Sequence, residues 1–421
     1  MSAPRLFRFA LRLAFFAVVA QMALGVTSAA HHARMAAAPS GDWEEIRTPW
    51  GVERIALFEH DGDALPDDGR TLLTLGADLL EHDHSARGAQ GPDAGSAFKA
   101  RPRVTDATFR QQGVFAELSH ELGDHDRLVG GLRVDRWRAK DHRSTTVTAG
   151  QRRSDTLTSG FARWERDLAA TPATIYAGLG RVERFPDYWE LISGGKQSMT
   201  TNSAFLSKPE KTTQLDLGLH WAAGPLTASL SAFYAHIDDF LLIDSVSRVV
   251  GTTPVTVTRN VRARTAGLEA GLGYRFTPQW QADASLAWVH GKNRSDGTAL
   301  AQIPPLEGRF AVNWDDGRWS VGALLRLVAR QNRVDPGRGN IAGLDIGKTP
   351  GFGVLSINGG YRPTPRTSLT AGIDNLFDKK YAEHLSRSGE VPSLALAGYR
   401  LDTRVNEPGR TLWVKASIAF D

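Results

Sequence analysis

Cysteine is absent from the 421 residues. Disulfide frameworks, thiolate metal sites and thiol chemistry are therefore excluded. Methionine is scarce, four in all, so soft sulfur ligands are few. Neither sign of charge dominates: 50 Lys and Arg stand against 46 Asp and Glu, a formal net charge of +4. The charges are scattered, and no basic stripe marks a nucleic-acid surface. After residue 20 no apolar run is long enough to cross a bilayer as a helix. From about residue 70 onward helical periodicity is almost missing as well.

Glycine, at 42, and tryptophan, at 11, are plentiful. The sequence is dominated by alternation at period two. In Gln214–Trp221, Leu215, Leu217, Leu219 and Trp221 share one face, while Asp216, Gly218 and His220 share the other. The same pattern recurs around Leu268–Tyr274, Ala282–Trp288, Leu355–Tyr361 and Val414–Phe420. About fourteen such strands follow residue 70, with one more near residues 46–59. Each is roughly long enough to cross a bilayer with tilt.

The connections decide which kind of sheet this is. Short ones, such as Gly123-Asp124, Ala170-Thr171-Pro172, Ala223-Gly224-Pro225, Thr277-Pro278, Asp315-Asp316-Gly317 and Pro363-Thr364-Pro365, take turns with long ones near 81–108, 138–156, 184–211, 239–261, 291–305, 331–351 and 376–409. Short turns on one side and long loops on the other predict an all-β fold. It is a transmembrane antiparallel up-and-down β-barrel, or part of one, with about 14–16 strands. Strands running toward the short turns end on Trp221, Tyr274, Trp314, Tyr361 and Phe420, all on the apolar face. That is the expected periplasmic aromatic girdle, where amphipathic rings meet lipid headgroups. The inward positions Asp216, Glu269, Asp283, Arg309, Arg326 and Lys415 are read as lining a wet lumen, without a recognisable acid–base pair.

At the start, Arg5, Arg8 and Arg12 precede the apolar run Leu13–Ala20, and Thr27-Ser28-Ala29-Ala30 follows. Residues 1–30 read as a secretory signal peptide cleaved near Ala30. A membrane anchor would need a longer run, and Gln21 ends this one. Residues 31–70 form a poorly defined segment with at most one strand, and 71–421 form the barrel portion. Enzyme motifs fail. In His120–His125 the second histidine is one place too far for the zinc-protease pattern, and Gly347-Lys348-Thr349 lacks the upstream glycine of a phosphate loop.

The segment Gly372-Ile373-Asp374-Asn375-Leu376-Phe377-Asp378-Lys379-Lys380-Tyr381 resembles the penultimate-strand region of TonB-dependent outer-membrane receptors, and Glu407-Pro408-Gly409-Arg410-Thr411 through Phe420 resembles their closing strand. Phe185–Glu190, Lys208–Thr212 and Ile303-Pro304-Pro305 are similar to the same family. The combination is most similar to its copper-receptor branch. The resemblance implies a Gram-negative outer-membrane receptor for a metal ion or chelate, with copper preferred, and no enzyme. It also implies a closing strand that pairs with the first, although Asp421 follows the usual terminal aromatic.

Family members carry an N-terminal TonB-gripping motif, then a plug inside a barrel of about twenty-two strands. Neither fits between residues 30 and 70, so the sequence reads as a truncated barrel without its plug. A strand at 46–59 would also put residues 31–45 outside the cell. A passive pore and a non-functional fragment stay open as alternatives. The expected partners are outer-membrane lipid, the barrel assembly machinery, and TonB only if another chain supplies a plug. No cofactor is expected beyond copper as a transported ion. By analogy with the family's sulfur and imidazole ligands, His31, His32 and Met35 are the loop candidates for copper. His82, His84 and Met199 are weaker candidates at the outer ends of strands and loops.

Overall fold

The computed structural model describes residues 44–48, 51–62, 70–86, 104–386 and 404–419, the first two segments by their backbone. Sixteen long strands run in chain order: β1 Glu44–Thr48, β2 Gly51–Gly62, β3 Thr71–Ala86, β4 Val104–Glu121, β5 Asp126–Asp141, β6 Arg152–Leu168, β7 Ala173–Arg184, β8 Glu210–Ala223, β9 Leu226–Asp244, β10 Val257–Arg275, β11 Trp280–Asn293, β12 Glu307–Asp315, β13 Trp319–Val328, β14 Phe352–Thr364, β15 Thr367–Asp374 and β16 Thr411–Ile418. Each pairs antiparallel with the next, so the sheet is one continuous meander. Among the described residues no helix is long and apolar enough to cross a membrane.

Two expectations change. The single strand near 46–59 is a hairpin, with Thr48 opposite Gly51 and Glu44 opposite Ile55. Because β1 runs back beside β2, Glu44 lies on the short-turn side of Thr48, and the expected placement of residue 45 outside the cell is removed. The closing pair is also not observed. Among the described residues β1 pairs only with β2, and β16 only with β15.

Period-two alternation becomes two chemically different faces. The outer one carries Leu132, Leu179, Leu217, Leu272, Val321 and Val414, each at least 48% exposed. A soluble domain would bury such a belt, whereas lipid is its natural solvent. The inner face is built differently. Five of its rings stand directly opposite a glycine on the neighbouring strand: Phe115 on Gly76, Phe161 on Gly131, Tyr176 on Gly218, Phe233 on Gly267 and Trp413 on Gly372. A Cβ built on Gly218 would lie 2.2 Å from the Tyr176 ring, so the ring occupies the space that a side chain would need. Covering a strand glycine with an aromatic offsets the packing that glycine lacks.

Ionic pairs fill much of the remaining inner wall. Arg133 bridges Asp78 and Asp135, and Arg163 binds Glu165 while lying 4.1 Å over the Tyr176 ring. Arg309 and Arg326, for which the sequence offers no recognisable local acid–base pair, are joined by Glu307 at 2.6 and 2.7 Å, and Arg326 also binds Glu383.

Candidate functional site: the long-loop mouth of the barrel

The buried apolar core lies at the long-loop end, against the inner wall. Ala107, Phe109, Trp137, Ala139 and Leu157 point inward there, and Phe185, Tyr188, Leu191, Ile192 and Phe205 from the loop after β7 pack onto them. This loop is shaped by a one-turn helix, α1 (Tyr188–Leu191), closed by a capping box in which Asp187 accepts from the Glu190 N–H and Glu190 accepts from the Asp187 N–H. Arg184 donates to Glu190 through both terminal guanidinium nitrogens at 2.9 Å. Burial, reinforced by the Glu190 charge, pushes the Asp187 carboxyl up to about 6.

Trp137 and Phe185 stack, and the Tyr188 hydroxyl donates to Asp106 at 3.1 Å. A second loop docks beside the first. The fully buried Asp141 accepts from Arg143 and Thr148, and Thr148 meets Ser203 at 2.6 Å.

A second cluster gathers the four later loops. Asp244, fully buried, accepts from Val246 and Ser247 of its own loop, from Arg259 at 2.9 Å and from Arg338 at 3.0 Å. Arg259 passes on to Asp296, and Arg338 to Asp335. Asp345 ties the inner layer. It accepts from the Gln302 and Asp335 N–H groups, with His384 at 3.6 Å. Burial alone would raise this carboxyl, but His384 and these donors hold it below the ordinary carboxylate range. Thr349, from the segment without a phosphate-loop glycine, meets His384 at 3.0 Å. Leu300, with Ile303 beside it, packs on Ile237 and Ala263 of the wall.

The penultimate-strand motif forms a knot beneath the last loop. Asn375 sits in the left-handed region at φ 51°, is buried, and donates to the Lys379 and Pro408 carbonyls while accepting from the Lys379 N–H. Asp378, also left-handed at φ 52°, accepts from the Arg410 N–H at 2.8 Å. A Cβ on Gly409 would meet that Asp378 oxygen at 2.6 Å, so a larger residue would push the carboxylate off the Arg410 N–H. The Glu407 N–H donates to the Tyr381 carbonyl, and the Leu376 N–H to Leu355. Tyr381 packs against Phe352. Asp374 ends β15, and Phe377 is exposed. The knot fixes where β16 begins.

The model of the TonB-dependent receptor-like β-barrel matches residues 40–376. This chain belongs to the TonB-dependent receptor β-barrel family. The copper transporter OprC superposes with a TM-score of 0.81 and 43% identity, over 88% of this chain and 56% of that one. The FrpB iron transporter of Neisseria meningitidis (F5-1 variant) shares the fold at a TM-score of 0.62 and 17% identity, over 87% and 56%. The ferric enterobactin receptor of Pseudomonas aeruginosa is 26% identical over 374 residues, 83% of this chain and 48% of the relative. The chain thus spans about half the length of the relatives it matches.

Of the sequence candidates, His31, His32 and Met35 lie outside the described residues, as does Phe420. Trp221, Tyr274, Trp314 and Tyr361 stand at the short-turn ends of their strands. Trp280, paired opposite Trp314, and Trp319, packed 4.3 Å from Tyr361, join this ring from the returning strands. Alternation toward the short turns singles out only the strands that end there. His84, on the inner face of β3, stacks on Tyr188 at 4.2 Å, and His82 stacks on His84 at 5.9 Å. Met199 is exposed in the loop after β7. Among the described residues no group of three His, Asp or Glu side chains could hold a metal ion. Glu269 and Lys415 are exposed.

Proposed function

We propose that this chain is the outer-membrane barrel of a receptor for uptake of a metal ion or metal chelate, with copper as the preferred cargo. The observation that carries the reading is the 43% identity to a copper transporter across 88% of the chain. The looser likeness to an iron transporter, at 17% identity, supports the shared fold alone. Copper would be held by imidazole and thioether groups presented at the mouth, with His31, His32 and Met35 as the proposed contributors.

The packed mouth favours a receptor over an open pore. The loop after β7 lies within the bore and is anchored by a buried core of ten side chains. In this reading the cargo meets a folded surface, and passage requires that surface to move. TonB acts on such a barrel only together with a plug. Proteins of this family are transport receptors rather than enzymes, and outer-membrane lipid is the surroundings that the apolar belt requires.

The test is copper accumulation at limiting copper in a Gram-negative strain lacking its own copper receptor. The chain is co-expressed with the plug domain of a copper-receptor relative, with and without TonB. Accumulation above the vector control that vanishes without TonB is expected. Equal accumulation in both strains would replace the reading with a passive pore. Ferric siderophore uptake without copper uptake would replace copper as cargo.

A further inference from the structure

The last long loop, between β15 and β16, meets the loop between β13 and β14 through buried polar groups. The side chains of His384 and Asp345 are 1% and 0% exposed. His384 Nδ1 lies 3.0 Å from the Thr349 hydroxyl. Its other ring nitrogen, Nε2, faces Asp345, whose Oδ1 is 3.6 Å away. That is beyond hydrogen-bond reach, and among the described residues Nε2 has no hydrogen-bond partner. Arg404 ties the same two loops together through backbone, donating to the His384 carbonyl at 3.1 Å and to the Gly347 carbonyl at 2.7 Å.

The carboxylate opposite Nε2 is held as an anion. It accepts from the Gln302 N–H at 2.9 Å, the Gln302 side chain at 3.1 Å and the Asp335 N–H at 2.8 Å. Burial works against its charge, but His384 and these donors keep the carboxyl below the ordinary carboxylate range. The other charges around the ring are committed elsewhere. Asp335 and Arg338 bind each other at 2.6 Å, Arg333 donates to the Gly291 carbonyl, and Glu383 binds Arg326 on the wall. Lys348 is exposed to solvent. Arg404, from the chain just before β16, is the cation closest to the pair by its backbone contacts.

A neutral imidazole carries one N–H, whereas an imidazolium donates from both nitrogens. Here one nitrogen meets a hydroxyl and the other faces a buried anion. Protonation therefore turns an unpartnered edge into an ion pair, and the paired carboxylate offsets the cost of burying the cation. The docked loop then binds more protons than the released one, so docking strengthens as pH falls and weakens as pH rises. Imidazole is the side chain that changes charge between about pH 5 and 8.

We propose that His384 is a proton-operated latch. Protonated, it holds the last loop against Asp345 on the loop between β13 and β14. Neutral, it lets that loop go. The latch is distinct from the Asp187 carboxyl, which acts on the loop after β7, and it does not depend on what the receptor carries.

The chain has no cysteine of its own, so two introduced ones can be labelled without background. Lys348→Cys and Leu385→Cys place exposed nitroxide labels on the two loops. Pulsed electron–electron resonance of the full chain in lipid vesicles then reads their separation. A single narrow distance is expected at about pH 5. A second, longer population should appear on raising the pH, with the ratio of released to docked loop rising at least about tenfold by pH 8. His384→Gln keeps a donor but cannot titrate, and its distances should be the same at both pH values.

Unchanged distances in the otherwise wild-type chain overturn the proposal. So does an undiminished pH response in His384→Gln. If that variant does not fold, the titration of the doubly labelled chain decides. A one-proton curve centred between about pH 5 and 8, and unmoved by about 1 M salt, supports a buried imidazole pair, which salt screens little. A midpoint below about pH 5 would identify a carboxyl, and one that moves with salt would identify surface charge; either overturns the latch.

Discussion

Substituting Leu217 by arginine tests the assignment of the two faces of the wall. Leu217 stands six residues from Ala223, the short-turn end of β8. At about 3.4 Å per residue that is about 20 Å along the strand. A tilt of about 40° brings it to about 15 Å above the turn, inside an apolar band about 25 Å tall. Its cross-strand neighbours are Ala177 and Ala232, which offer no polar partner. An arginine there cannot reach either interface, each about 12 Å away, without deforming the bilayer. The cost is about 2–4 kcal/mol.

The control is Asp216→Asn, one residue along and on the inner face, where the carboxylate accepts from Gln214 at 2.7 Å. Weakening that one bond costs about 0.5–1.5 kcal/mol. Denaturant titration of folding into lipid vesicles, monitored by tryptophan fluorescence, measures both. Equal costs, or a larger cost for Asp216→Asn, would refute the register and with it the placement of every inward and outward residue.

Asn375→Ala loses two buried donor contacts and must hold a left-handed backbone, so it is expected to cost about 2–4 kcal/mol. Asn375→Gly relieves the backbone term and should recover about 1 kcal/mol of this in the same titration; no recovery would show that strain at φ 51° is unimportant. The raised carboxyl of Asp187 gives a pH dependence to the loop after β7. A folded-state value of about 6 lies above the unfolded one, so the stabilisation is full below about pH 4 and is lost as pH rises through about 6. Hydrogen exchange at α1 should therefore report easier opening at pH 7.5 than at pH 5 after correction for intrinsic rates, and Asp187→Asn should abolish the difference.

The barrel was legible in the sequence because its signals are local. Alternation in Gln214–Trp221 and turns such as Thr277-Pro278 and Asp315-Asp316-Gly317 lie within a few residues of one another, and all fourteen strands after residue 70 are present. The β1–β2 hairpin reads as one strand if alternation is carried through Thr48-Pro49-Trp50-Gly51, although proline and glycine there signal a turn.

What depended on distant partners was not legible. Glu307 joins Arg309 to Arg326 only because β12 and β13 pair in one particular register. The mouth core unites β4, β5 and β6 with the loop after β7. Asn375 and Gly409 were picked out by family resemblance. Their physical roles, a left-handed hinge and a gap beside Asp378, needed coordinates.

The five rings laid over glycines bear on the width of the bore. A phenylalanine or tyrosine standing into the lumen would narrow the passage at its own height and leave ridges between strands. With Phe115, Phe161, Tyr176, Phe233 and Trp413 folded over the glycines opposite them, each strand lends its unused volume to its neighbour's ring. The inner surface becomes smooth, and polar groups such as those of Arg133 and Arg163 lie above the rings. Such a wall can seat a close-fitting solid body and let it turn or slide on a lubricating layer of water, which a corrugated one would not permit.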